Sequence, residues 1–149
     1  MNRLTFALVS VSLVVGVVLA VSAASAKIPI TPRLGAALTV GQVVPHPKGT
    51  KVGASGRFTA TLTGTKLQWT LSFAALSGPA TTAQIHSGPR GKRGPLLVRL
   101  CGPCTSPENG TATLTAGEIA PIVAGKDYAD LHTAKNPNGE LRGQISCPC

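Results

Sequence analysis

Aromatic side chains are scarce in this chain, with one Trp, one Tyr and three Phe among 149 residues. Proteins that hold single-stranded nucleic acid stack bases on such rings. Only Trp69, Tyr128 and the Phe residues offer that here, so nucleic acid is set aside as a partner. Acidic residues are equally few. Five Asp and Glu face 14 Lys and Arg, a formal net charge of +9, which favours association with anionic polymers or lipid headgroups without selecting one. Internal repeats are absent. No apolar run of membrane-spanning length follows the N-terminal segment, and no Cys follows it where a lipoprotein would need one.

The N-terminal segment MNRLTFALVSVSLVVGVVLAVSAASA carries one positive charge at Arg3, an apolar run from Leu4 to about Val21, and the small-residue end Ala24-Ser25-Ala26. These are the parts of a secretory signal cleaved before Lys27. An uncleaved anchor is the alternative, since the run nears the roughly 20 residues that span a bilayer. Residues 1–26 are therefore read as a signal peptide, and 27–149 as one domain, secreted or held at the cell surface, with a Cys-Pro-Cys tail. Loss of Arg3 with the signal lowers the net charge to about +8.

The remainder alternates with period two, the pattern of strands with one face buried. In RFTATL, Phe58, Ala60 and Leu62 share a face; in LQWTLSF, Leu67, Trp69, Leu71 and Phe73 do. LLVRL from Leu96, TATLT from Thr111, YADLHT from Tyr128 and ELRGQI from Glu140 continue the series between Gly, Pro and Asn. Such spacing predicts an all-β, antiparallel sandwich or barrel. One stretch differs. TAGEIAPIVAG has Thr115 three residues before Glu118, a capping-box pattern, and a stop at Gly125, so one short helix is expected on a connection, limited by Pro121. KIPITPR after the signal and PHPKGTKVG from Pro45 read as flexible.

AQIHSGPRGKRGPLLVRL from Ala83, followed by LTAGEIAPIVAGKDYADLHTAKNPNGELRGQI from Leu114, resembles the CHRD (chordin-type) domain, which occurs alone in many secreted bacterial proteins. The resemblance runs roughly from Gly35 to Ile145. It rests on the Ile-His-x-Gly turn (His86, Gly88), the Tyr-x-x-x-His-Thr strand (Tyr128, His132, Thr133) and the Gly-Glu-Leu-Arg-Gly-Gln strand (Glu140, Arg142, Gly143, Gln144). It implies a Greek-key, extracytoplasmic module that binds or braces, with these residues in structural roles and no cofactor. Two positions depart from the family. Val43 precedes Val44-Pro45 of the family's first strand where many members carry an acid, and Gln84 stands where many carry a second His.

Cys101-Gly-Pro-Cys104 has the spacing of a dithiol oxidoreductase, but TSPENGT after Cys104 reads as a turn and strand, not the helix that would lower a thiol pKa. Four Cys in an exported chain point to two disulfides. Cys147 and Cys149 flank only Pro148, so a bridge between them would close a very small ring. Cross-pairing of Cys101 and Cys104 with Cys147 and Cys149, in either order, is expected; each loop of about 45 residues would contribute roughly 4 kcal/mol if closed alone. Four thiolates on Zn or Cu(I) are the alternative, disfavoured by an oxidising compartment.

His86 and His132 lie on strands and raise a Cu or Zn site as a second alternative, but no third His is near in sequence and His46 sits in the Pro-rich segment. Hydrogen bonding to a turn or neighbouring strand is the preferred role. Arg90, Lys92 and Arg93 share a Gly/Pro-bounded loop, a surface for an anionic cell-surface polymer or another surface protein, or simply a solvated loop. YADLHTAKNPNGELRGQI is expected to form a hairpin burying Leu131 beside Leu141. Asp130 would then oppose Arg142 and His132 oppose Glu140 on an exposed polar face. The reading is a non-catalytic binding or structural domain.

Overall fold

The computed structural model describes residues 31–148. The expected signal peptide, residues 1–26, and Cys149 lie outside the described residues. Eight strands form one antiparallel sheet: β1 (Arg33–Thr39), β2 (Ser55–Thr63), β3 (Lys66–Ala74), β4 (Ala80–Ser87), β5 (Leu96–Cys101), β6 (Glu108–Thr113), β7 (Asp127–Thr133) and β8 (Leu141–Gln144). Their order is β5-β4-β7-β8-β1-β2-β3-β6. The two edges, β5 and β6, approach each other without a strand ladder, so the sheet is a nearly closed barrel. Around that ring β3 lies beside β6 and β7 beside β4, flanking the consecutive strands β4, β5 and β6 on both sides. This makes two overlapping Greek keys.

Alternation sets the core. Phe58, Ala60 and Leu62 of β2 stand opposite Leu71, Trp69 and Leu67 of β3, all buried. A one-residue slip would turn the whole set to solvent. Ile85, Leu131 and Leu141 complete the interior from the other half of the ring. The expected helix, α1 (Ala116–Val123), crosses from β6 to β7. Thr115 N–H and its hydroxyl donate to Glu118 Oε2 at 2.7 and 2.8 Å, and Ile122 is buried against the core.

Two boundaries differ from the sequence reading. Arg33–Thr39 is a strand locked to β2, whereas Val43-Val44-Pro45 follows a 3-10 turn (Val40–Gln42) and belongs to no strand. β6 begins at Glu108, three residues before Thr111, because its ladder with β3 extends from Lys66↔Thr113 to Leu71↔Glu108.

The cysteine pairing is corrected. Cys101 is bonded to Cys104, with their Cα atoms 5.3 Å apart. Cys147 is also disulfide-bonded. Cross-pairing fails on topology: β4 and β7 separate β5 from β8, and the C-terminal segment pairs instead with β1, where Ser146 and Gly35 exchange two hydrogen bonds of 2.9 Å. At about 4.8 Å per strand spacing, that separation far exceeds the reach of a disulfide. For the same reason the expected proximity of the LLVRL and ELRGQI strand ends is not found.

The hairpin register is as expected, Leu131↔Leu141 and Asp130↔Arg142, but two parts of that reading are corrected. The polar face is buried: Asp130, His132 and Arg142 are each less than a tenth exposed. Glu140 does not meet His132. Its carboxylate turns inward, accepting from Ser77 N–H (2.6 Å), Ser77 Oγ (2.5 Å), Thr133 Oγ1 (2.6 Å) and Asn136 Nδ2 (3.3 Å). These donors tie the β3–β4 connection to the β7–β8 turn without any cation.

Peptide mapping under non-reducing conditions should recover Cys101 and Cys104 bridged within one peptide. Because that bridge closes only a short loop, replacing both with Ser should lower stability by about 2 kcal/mol in urea melts. Burial alone would raise the Glu140 pKa, but the hydrogen bonds from Ser77, Thr133 and Asn136 outweigh it and hold it below the usual carboxylate value. Its stabilising contribution is therefore complete above about pH 4.5 and lost as pH falls through the lower, folded-state value. Glu140→Gln should cost about 2–3 kcal/mol at neutral pH and flatten the acid limb of the stability profile; an unchanged acid limb would show that Glu140 is not the group involved.

Candidate functional site

β4, β7 and β8 are adjacent, and their alternation sorts side chains into two sets. Ala83, Ile85, Ala129, Leu131 and Leu141 face the core, while Gln84, His86, Tyr128, Asp130, His132, Arg142 and Gln144 occupy the outer face. Register makes the outer set a grid: His86 is opposite Tyr128, Gln84 opposite Asp130, Thr82 opposite His132, and Tyr128 opposite Gln144. Ordinarily such a face would meet water. Here the loop from Gly88 to Pro95 folds back over it.

The loop is held almost entirely through its backbone. Ser87 N–H donates to Pro95 O and Gly88 N–H to Lys126 O, both at 2.9 Å. Four side chains add clamps: His86 Nδ1 to Gly94 O (3.0 Å), Gly94 N–H to Tyr128 Oη (3.2 Å), Arg142 Nη2 to Pro89 O (3.0 Å) and Gln144 Nε2 to Gly88 O (3.0 Å). The Tyr128 ring stacks on His86 with centroids 5.3 Å apart and lies 3.4 Å from the Arg142 guanidinium carbon, a desolvated cation–π contact. Gly88 enters the loop at φ 150°, in a region that side chains disfavour, and a Cβ on Gly143 would stand 2.4 Å from Ala37 O across the β8–β1 contact. Arg90, Lys92 and Arg93 are left exposed at the loop's outer side.

Beneath the loop, Asp130 Oδ1 lies 3.0 Å from His132 Nε2 and 3.6 Å from His86 Nε2. Gln84 Oε1 is 3.0 Å from the same His86 nitrogen. The far nitrogen of each ring is engaged by a backbone carbonyl, His86 Nδ1 by Gly94 O and His132 Nδ1 by Pro137 O, both at 3.0 Å. A carbonyl only accepts, so each Nδ1 carries a proton and each Nε2 is the atom turned toward Asp130. Burial pulls the His132 pKa down, but the hydrogen bond and charge of Asp130, aided by the Pro137 carbonyl, raise it above the ordinary imidazole value.

The structure thus joins His86, Gly88, Tyr128, His132, Arg142 and Gln144 to the 90–93 loop in one unit. Thr133 and Glu140 belong to the separate inward network. His46 lies in an exposed stretch outside this cluster. The three described Cys are all in disulfides: Cys101 and Cys104 are bonded to each other and buried, Cys147 is also bonded, and the element after Cys104 is strand β6 rather than a helix. Asp130 was missed as a partner for the histidines, although period two places it on the same face as His132. Which strand would lie alongside was not readable locally. A groove of about 780 Å³ on the far side, between Arg33, Arg57, Thr59, Gln68 and Asn109, contains none of these candidate site residues.

No curated protein and no solved structure matches the chain. The sequence pattern of the CHRD domain matches residues 34–145, from the first residues of β1 to the end of the β8 segment. That span contains the barrel, the clamped loop and every motif residue that clamps it, and the chain belongs to the CHRD domain family.

Proposed function

We propose that this chain is an extracytoplasmic, non-catalytic binding domain that docks on anionic cell-surface polymers through Arg90, Lys92 and Arg93. The observation that carries this reading is the clamping of the loop: side chains from β4, β7 and β8 hydrogen-bond its backbone while its cations stay exposed. A loop held in place before binding loses little conformational entropy when a ligand arrives. The net charge, +9 for the whole chain and about +8 without Arg3, adds a long-range attraction for polyanions. Export is supported by the charged, apolar and small-residue parts of residues 1–26. Non-catalytic action is supported by the work the motif residues do: they hold backbone or one another, and each has a structural partner.

The test compares Arg90→Ala/Lys92→Ala/Arg93→Ala with a control that removes Lys51, Lys66 and Lys135, three exposed cations elsewhere. Binding to heparin and to lipoteichoic acid is measured across a salt series. The loop variant should lose at least tenfold in affinity and flatten the salt dependence, with a melting temperature close to that of the unaltered protein. Equal losses in loop variant and control would mean that charge acts diffusely and the loop is not the docking site.

A further inference from the structure

We propose that His86, Asp130 and His132 form a mononuclear site for a divalent transition-metal ion, Zn²⁺ or Cu²⁺, on the outer face of β4 and β7. The ligand atoms are His86 Nε2, His132 Nε2 and an Asp130 carboxylate oxygen, all within 4.8 Å of one another. Metal–ligand bonds of about 2.0–2.2 Å in tetrahedral geometry set donor atoms about 3.3 Å apart. The 3.0 and 3.6 Å separations from Asp130 Oδ1 to the two nitrogens bracket that value.

The surroundings are those a metal-binding histidine requires. A ligating imidazole usually gives its second N–H to a carbonyl or carboxylate, which fixes the tautomer and aims the lone pair. Both rings do so here, through Gly94 O and Pro137 O. The three residues come from two adjacent strands with rotamers held by packing, so little rearrangement is needed. Gln84 Oε1 or water supplies the fourth position. Two imidazoles and a carboxylate suit Zn²⁺ and Cu²⁺ better than Ca²⁺ or Mg²⁺, which take oxygen donors. Arg142 stands opposite Asp130, and Arg93 is close enough to act on the charge of His132. These cations work against an incoming ion and limit its affinity.

This inference stands apart from the polyanion reading, which needs only the loop. Titration calorimetry of the chelator-treated, untagged protein with ZnCl₂ and with CuCl₂ should give one ion per chain for at least one metal. His86→Ala and Asp130→Asn should each weaken binding at least tenfold, and Arg93→Ala, which removes a repelling charge and no ligand, should strengthen it several-fold. Because a variant can fail to fold, the deciding measurement is made on the unaltered protein. Long-range ¹H–¹⁵N spectra with Zn²⁺ should shift Nε2 of His86 and His132, keep Nδ1 of both protonated and leave His46 unmoved. If neither ion binds stoichiometrically, or if the shifted nitrogens belong to His46, the proposal is wrong.

Discussion

Strand β7 is buried from Asp127 to Thr133, on both faces. For a strand whose residues alternate between apolar and polar, that imposes a demand. Ala129 and Leu131 are stabilised by the core, but Tyr128, Asp130 and His132 are withdrawn from water and need partners inside the protein. The loop after β4 supplies carbonyls and N–H groups at the right height, and Arg142 and Gln144 arrive from β8. Of the family-motif residues, His86, Tyr128, Arg142 and Gln144 meet this demand, whereas Thr133 and Glu140 serve the inward network. A buried polar face of this kind stabilises only while every member is satisfied, which ties loop position to strand register.

That coupling is what fixes the loop over the outer face. The cations of the 90–93 loop are displayed on a backbone that cannot wander, because motion would break contacts to His86, Tyr128, Arg142 and Gln144 together. Tyr128 is the centre of the arrangement, with an imidazole against its ring and a guanidinium over it. Its hydroxyl, at the far end, receives Gly94 N–H. The Glu140 network does comparable work at the end of the barrel, where one carboxylate and four donor atoms connect two turns distant in sequence.

The cysteines show the difference between chemical and topological reasoning. Their local context was readable, since strand β6 and not a helix follows Cys104. Their pairing was misjudged because loop entropy favours long-range bridges, whereas the Greek key puts two strands between the expected partners. Loop-closure energetics can rank only those pairings that the fold brings within reach.

Residues such as Phe58, Trp69, Leu131 and Leu141 determined by their alternation alone that the chain is all-β, which face of each strand is apolar, and how the β7–β8 hairpin is registered. Thr115 and Glu118 determined where α1 starts. These are local properties, set by side-chain period and short-range hydrogen bonds. Only the tertiary structure decided that β4 lies against β7, so that Gln84 and His86 meet Asp130 and His132, and that the 88–95 loop covers them. A period of two assigns a residue to a face but not a neighbour to a strand, and a polar residue facing outward reads as exposed until something is folded over it.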